Sequence, residues 1–314
     1  MSFTTEVKEE LSRVAPTCSH CENATLAALI RIEGTLLVKG QGRYALEIAT
    51  DSPVVARFII KALHESYQLT TDLTMRRSVL HKTPNWLIEV PMQPGLPDAL
   101  KMLGVLGEDG IERGIDPDLI RKQCCQAAYL RGVFLGSGFI SNPRGDFHFE
   151  LKVETETTAQ AIVDLLAERD IKAKAIQRRN SYLIYLKSGA AISSFLALVG
   201  AHQSALKMEN ERVVKSVRND VNRRVNAEMA NQAKASAASV DQIMTIRYVL
   251  DHRDITTLPR ALQDYIKLRV AYPDATLKEL GEAADPPLSK SAINHRVRRL
   301  ESIAQEIARN AGRS

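Results

Sequence analysis

The stretch Leu26-Ala-Ala-Leu-Ile-Arg-Ile-Glu-Gly34 decides the architecture of this chain: an apolar helix closed by a glycine, met again as Leu130-Arg-Gly-Val-Phe-Leu-Gly-Ser-Gly138. The two copies lead into similar successions of elements. After Gly34, two strand-like runs, Thr35 to Lys39 and Arg43 to Thr50, flank a Gly-Gln-Gly turn, a hairpin pattern. An amphipathic helix from Ser52 to Tyr67 places Val55, Ile59 and Leu63 at helical spacing. Two strands, Leu69 to Arg77 and Trp86 to Pro91, and a short helix, Pro97 to Leu106, complete the first pass. The second pass begins with a helix from about Pro117 that ends in the second copy. It continues with a hairpin (Phe139 to Asn142, Phe147 to Thr155) turning at Pro143-Arg-Gly-Asp146. A helix (Thr157 to Asp170), two strands (Lys172 to Arg178, Tyr182 to Leu186) and a last helix (Ala190 to Val199) close it. Each pass reads αββαββα, and Gly34 matches Gly138 as Thr50 matches Thr155. The period drifts, which marks a diverged duplication and not a solenoid.

A chain of 314 residues with 45% apolar and 25% charged residues buries a core of useful size and divides into two or three domains. Its net charge of +5 suits a polyanionic partner. No run of about 18 apolar residues predicts a membrane helix, and MSFTTEVKEELSRV lacks the form of a signal peptide. A cytoplasmic protein is therefore expected. The four cysteines, Cys18, Cys21, Cys124 and Cys125, fit a reducing compartment. Cys18-Ser-His-Cys21 has the spacing of half a zinc site, but the adjacent pair Cys124-Cys125 is a poor chelate for one tetrahedral ion. The expectation is an ordinary helix-start loop, with no metal and no cofactor.

From Arg212 the texture changes: Arg212, Lys215, Arg218, Arg223 and Arg224 face one nearby acid, Asp220, and an alanine-rich stretch comes next. This reads as a helical connector with a basic face, a candidate for contact with a nucleic-acid backbone. Further on, Thr276-Leu-Lys-Glu279 is a capping box opening a short helix. Asp285-Pro-Pro287 breaks that helix, and Ser289 caps another, Lys290 to Leu300, whose Ile293, Val297 and Leu300 form one buried stripe. The opposite side offers Lys290, Ser291, Asn294, His295 and Arg298, and no acid stands between Leu288 and Leu300. A short helix, a turn and a second helix with a polar, basic start is the layout of a helix-turn-helix. Its second helix enters the major groove of double-stranded DNA. Thr276, Lys278, Ser289, Lys290, Ser291, Asn294, His295, Arg296, Arg298 and Arg299 are the DNA-contacting candidates. Asn pairs with adenine and Lys or Arg with guanine, while Arg296, Arg298 and Arg299, later on the helix, suit phosphates.

The two glycine-closed helices resemble the LAGLIDADG motif of homing endonucleases. In that family two αββαββα repeats form a saddle of strands on DNA, the motif helices pack at a pseudo-twofold axis, and the acid before each final glycine holds catalytic metal. The matching positions are Glu33 and Ser137. A serine hydroxyl is a poor replacement for a carboxylate on a hard cation, so the pair reads as vestigial, with no catalytic residue and small residues at positions 27, 28, 132 and 136 kept for helix packing. The alternative is an active or residual endonuclease using Glu33 with Glu108, Asp109 or Asp146; a third reading is a scaffold without important DNA contact. A degenerate LAGLIDADG pair followed by a helix-turn-helix resembles the WhiA regulators of sporulation and cell division. Asn222-Arg-Arg-Val-Asn-Ala-Glu-Met-Ala-Asn231 resembles that family's connector, departing from it at Ala227 and Met229.

The fold expected is α+β: a duplicated LAGLIDADG-like domain followed by an all-α helix-turn-helix domain. Its parts are a first repeat with its N-terminal helix (1–115), a second repeat (116–211), the connector (212–240) and the helix-turn-helix domain (241–314). The resemblance implies a non-enzymatic, nucleoid-associated transcription regulator of sporulation, cell division and chromosome segregation. It implies promoter DNA, a WhiB-type iron–sulfur protein and an RNA polymerase sigma factor as partners. Lys39, Arg43, Arg76, Arg77, Lys152, Arg178 and Arg179 are the basic residues of the strands, of which alternation lets at most half share one face.

Overall fold

Gly34 and Gly138 each end a helix and begin a strand with no turn between. Their backbones are extended (φ −90°, ψ 143° and φ −69°, ψ 137°), and each N–H still donates to the carbonyl four residues back, of Ile30 or Phe134. A Cβ would stand 2.3 Å from the Ile30 oxygen at the first site and 2.5 Å from the Phe134 oxygen at the second. Only glycine makes this switch without distortion, which is why both copies close on it. The computed structural model describes residues 2–38, 40, 43–77, 84–108, 110–112 and 114–311. Within them the chain forms two units, Met1–Ser216 and Val217–Ser314.

In the first unit, α1 (Phe3–Leu11) precedes the first repeat, α2 (Ser19–Glu33), β1 (Gly34–Val38), β2 (Tyr44–Thr50), α3 (Pro53–Tyr67), β3 (Asp72–Arg77), β4 (Pro84–Val90) and α4 (Leu96–Met102). A small ladder, β5 (Leu106–Gly107) with β6 (Gly110–Ile111), leads to the second repeat. That repeat is α5 (Gln123–Ser137), β7 (Phe139–Ile140), β8 (Phe149–Val153), α6 (Glu156–Ala167), β9 (Lys174–Arg178), β10 (Ser181–Leu186) and α7 (Gly189–Val199). Both repeats are αββαββα, as the sequence predicts. Their sheets have the same antiparallel topology, β1-β2-β4-β3 and β7-β8-β10-β9. Pro117 lies outside α5, which starts later than expected, at Gln123.

The core lies between the sheets and the helices. Leu46, Ile48, Ile88 and Val90 of the first sheet and Phe149, Leu151, Ile184 and Leu186 of the second are buried on one face. Alternation along each strand leaves the other face open. At the centre, α2 and α5 approach closely. A Cβ on Gly132 would lie 2.3 Å from the Thr25 carbonyl oxygen, and one on Gly136 would lie 3.1 Å from Ile32 Cγ2. The Thr25 hydroxyl crosses the interface to the Ala128 carbonyl at 3.0 Å. The small residues read from the sequence thus sit where the two motif helices touch.

The helix α8 (His202–His252) runs from the first unit into the second, one continuous element where the sequence suggests a separate connector. The second unit continues with α9 (Arg260–Ala271), α10 (Leu277–Glu282) and α11 (Lys290–Ala311). Its own core joins Ile246 and Val249 of α8, Leu262, Tyr265 and Ile266 of α9, Leu280 of α10 and the α11 stripe. The stripe extends past Leu300 to Ile303 and Ile307, so α11 is a turn and more longer than the capping and charge pattern indicates.

Candidate nucleic-acid interface and the motif-helix corner

The helix-turn-helix is set by its caps. Thr276 and Glu279 form the predicted reciprocal box: the Thr276 N–H donates to Glu279 Oε2 at 2.7 Å and the Glu279 N–H to Thr276 Oγ1 at 3.3 Å. Those bonds hold the Glu279 carboxyl below its ordinary range. Ser289 Oγ accepts the Ala292 N–H at 3.2 Å and starts α11. Gly281 supplies the close approach between the two helices: the Leu288 N–H donates to its carbonyl at 2.8 Å, and a Cβ there would stand 2.2 Å from the Leu288 oxygen.

At about 100° per residue, Lys290, Asn294, Arg298, Ser291 and His295 fall within one arc of about 140° on α11 that begins beside the Ile293, Val297 and Leu300 stripe and turns away from it. Lys290, Ser291, His295, Arg298 and Arg299 are exposed and Asn294 is half-buried. Thr276, Lys278 and Ser289 are exposed as well, with Lys278 paired to Glu282 at 3.7 Å. Arg296 departs from this set. It falls on the flank of α11, half-buried, and lines a cleft of about 440 Å³ with Asp264 and Lys267 of α9 and Asp285.

Sequence reasoning missed Arg269. Its side chain is buried, and its guanidinium donates to the Ala275 carbonyl at 2.6 Å and to Gln242 Oε1 at 2.8 Å, where Tyr265 also donates at 2.9 Å. It thereby ties α8 and the end of α9 to the residue before the capping box. A lone arginine in an apolar helical period was the only available signal.

The connector residues do not share a face. On α8, Arg212 and Arg223 fall within about 20° of each other, whereas Lys215, Arg218 and Arg224 spread around the rest of the circumference. Arg212 pairs with Glu209 at 2.7 Å and Arg223 with Asp220. Lys215 reaches the Gly145 carbonyl and stands 4.0 Å from the Phe147 ring centroid. Arg218 and Arg224 are exposed.

Glu33 and Ser137 end the two motif helices, but their surroundings differ from a cation site. Burial raises the Glu33 carboxyl, with Lys8 acting against the rise. The Lys8 ammonium is buried beside it, donates to the Gly136 carbonyl at 3.1 Å and lies 3.8 Å from Asp51. The Ser137 hydroxyl is committed to the backbone, donating to the Val133 carbonyl at 3.5 Å and accepting the Lys152 N–H at 3.1 Å. One carboxylate beside an ammonium, and a hydroxyl spent on the main chain, do not fit a catalytic divalent cation. Glu108 and Asp146 are exposed in turns, and Asp109 lies outside the described residues. Among the described residues, the convergent metal-capable set of three or more side chains is Cys18, Cys21, Cys124 and Cys125, and it does not include Glu33.

The open faces of the two sheets are unlike. Across the first, Glu47 of β2 pairs with Glu89 of β4, and Glu89 with Asp72 of β3, a row of three carboxylates. Arg76, opposite Asn85, is on the same face. Across the second, Lys152, Lys174 and Arg178 share the open face with Glu150 and Tyr185. Arg179 is in the turn between β9 and β10 at φ 55°, and Arg43 is exposed just before β2. Lys39 and the side chain of Arg77 lie outside the described residues.

Two pseudo-symmetric αββαββα repeats and a capped helix-turn-helix define a LAGLIDADG-like protein with a helix-turn-helix domain. The family models match in the same order: the WhiA N-terminal LAGLIDADG-like domain over residues 19–106, the WhiA LAGLIDADG-like domain over 126–218 and the WhiA C-terminal HTH domain over 221–304. The probable cell division protein WhiA of Desulforamulus reducens is 40% identical over 98% of this chain and 96% of its own. That of Heliobacterium modesticaldum is 40% identical over 99% and 98%. The chain belongs to the WhiA family. Its fold is that of full-length DUF199/WhiA from Thermotoga maritima, with a TM-score of 0.61 and 24% identity over 98% of this chain and 99% of that one. No described helix is long and apolar enough to cross a membrane.

Proposed function

We propose that this chain is a sequence-specific DNA-binding transcription regulator that reads promoter DNA with α11. The observation that carries this reading is the exposed, acid-free arc of α11 from Lys290 to Arg299, set on a rigid core by two side-chain caps. A capped helix that shows an amide, an ammonium and a guanidinium on one face matches the donor and acceptor code of the major groove. Arg299, Arg218 and Arg224 supply phosphate contacts, which set affinity without sequence choice. The LAGLIDADG-like domain acts as a scaffold for DNA or partner proteins and does not cleave DNA; the Lys8–Glu33 corner and the committed Ser137 hydroxyl support this. The names of the relatives support a place in cell division. Control of sporulation and chromosome segregation, work on the nucleoid in the cytoplasm, and partnership with a WhiB-type iron–sulfur protein and a sigma factor belong to the same reading.

The test is fluorescence anisotropy on promoter fragments that the full chain occupies in cells. Lys290→Ala combined with Asn294→Ala should abolish discrimination between the best site and a scrambled one, and each contact should be worth about 1–3 kcal/mol. Unchanged discrimination would refute the reading. A magnesium-dependent, site-specific cut lost in Glu33→Gln would establish a nuclease instead.

A further inference from the structure

The four cysteines form two pairs far apart in sequence, Cys18 and Cys124 being separated by 106 residues, yet they meet in space. Cys18 is the N-cap of α2 and Cys21 lies in its first turn, while Cys124 and Cys125 lie in the first turn of α5. Because the motif helices pack side by side, their N-termini bring all four sulfurs within 4.8 Å of one another. Cys18 Sγ is 3.4 Å from Cys21 Sγ, 3.7 Å from Cys124 Sγ and 3.6 Å from Cys125 Sγ. Four thiolates around one zinc ion, with Zn–S about 2.3 Å, stand about 3.8 Å apart along the edges of the tetrahedron. A disulfide would need sulfurs about 2.05 Å apart, and all four cysteines are free.

We propose that Cys18, Cys21, Cys124 and Cys125 bind one structural zinc-class ion that staples the two motif helices at their N-terminal ends. The chemistry of the set selects the ion: four soft sulfur ligands in tetrahedral array suit zinc, and a closed set of four leaves no position open for water or substrate. An iron–sulfur cluster spreads its thiolates over separate irons and needs wider spacing than a single centre. The surroundings suit thiolates. The four cysteines stand at the N-terminal ends of two helices, where the positive dipole end favours thiolates, and the Arg131 guanidinium interacts electrostatically with Cys21. A bound dication supplies the charge that lets all four ionise together. The expectation of no metal rested on the adjacency of Cys124 and Cys125. That adjacency matters less at the start of a helix, where both sulfurs reach the neighbouring α2 N-terminus. The staple is at the far end of α2 from Glu33, about 18 Å along the helix at 1.5 Å per residue, so it is separate from the vestigial corner.

The experiment is elemental analysis of the full-length chain, purified without a metal-binding tag and without chelator. About one zinc per chain is expected, as a structural site retains its ion through purification. Replacement with cobalt should give the intense visible bands and sulfur-to-metal charge transfer of a tetrahedral thiolate site. Cys18→Ser should lose the ion to a chelator that the wild type resists. A metal-free chain whose four thiols all titrate would overturn the proposal, as would disulfides in the freshly purified protein or an iron centre with labile sulfide. Because the wild-type analysis decides the question alone, a variant that fails to fold leaves the test intact.

Discussion

At the scale of single residues, Glu33 shows how a lone acid is held at the end of a motif helix. A carboxylate that a nuclease would use for a cation here faces the buried Lys8 ammonium, and its raised pKa comes first from desolvation. A carboxyl whose folded pKa lies above its ordinary 4.5 adds stability that is full below 4.5 and is lost as pH rises through the folded value. Glu33→Gln removes that loss. The melting temperature of the wild type relative to Glu33→Gln should therefore fall as pH is raised from 4.5 toward neutrality. A difference that moves in favour of the wild type would mean that Lys8 overcompensates the burial. Glu33 and Ser137 were legible in the sequence as a mismatched pair. Lys8 was not, because nothing in an N-terminal amphipathic helix tells that its one lysine turns inward to an acceptor 128 residues away at Gly136.

At the scale of elements, periodicity carried most of the reading. The αββαββα order, the Thr276 capping box and the Ile293, Val297 and Leu300 stripe all rest on local chemistry, and all stand in the structure. What local chemistry does not encode is which elements meet. The convergence of Cys18 with Cys125 and the buried bridge made by Arg269 depend on helix packing, and the charge on α8 looked one-sided only before it was wound onto a helix. Gly281 lies between these cases: a glycine in a six-residue helix costs propensity, about 1 kcal/mol against alanine, and is offset by the close approach of Leu288. Gly281→Ala forces a Cβ to within 2.2 Å of a backbone oxygen. The clash should destabilise the second unit by about 1–3 kcal/mol and reduce DNA affinity through misplacement of α11. Urea unfolding followed by far-ultraviolet circular dichroism, with anisotropy on the same preparation, checks both. Unaltered stability would mean that the turn before Ser289 yields without cost.

At the scale of the whole molecule, charge decides which surface faces DNA. A saddle of two open sheet faces needs both to attract phosphates. The first presents Glu47, Glu89 and Asp72 in register across three strands, and like charges directly opposite already oppose one another before any DNA arrives. The second face, with Lys152, Lys174 and Arg178, is a weaker attractor on its own and is shared with Glu150. The exposed arginines of α11 and α8 carry no such penalty. Each phosphate neutralised on duplex DNA contributes about 0.9 to the slope of log affinity against log salt. Replacing Arg299, Arg218 and Arg224 together by alanine should thus make the slope of the full chain shallower by roughly 2 to 3. Replacing Lys152, Lys174 and Arg178 should leave it within about half a unit of the wild type. Titration of both triple variants from low to physiological salt separates the two surfaces. If the sheet variant flattens the slope and the helix variant does not, DNA lies on the saddle, and α11 meets some other partner.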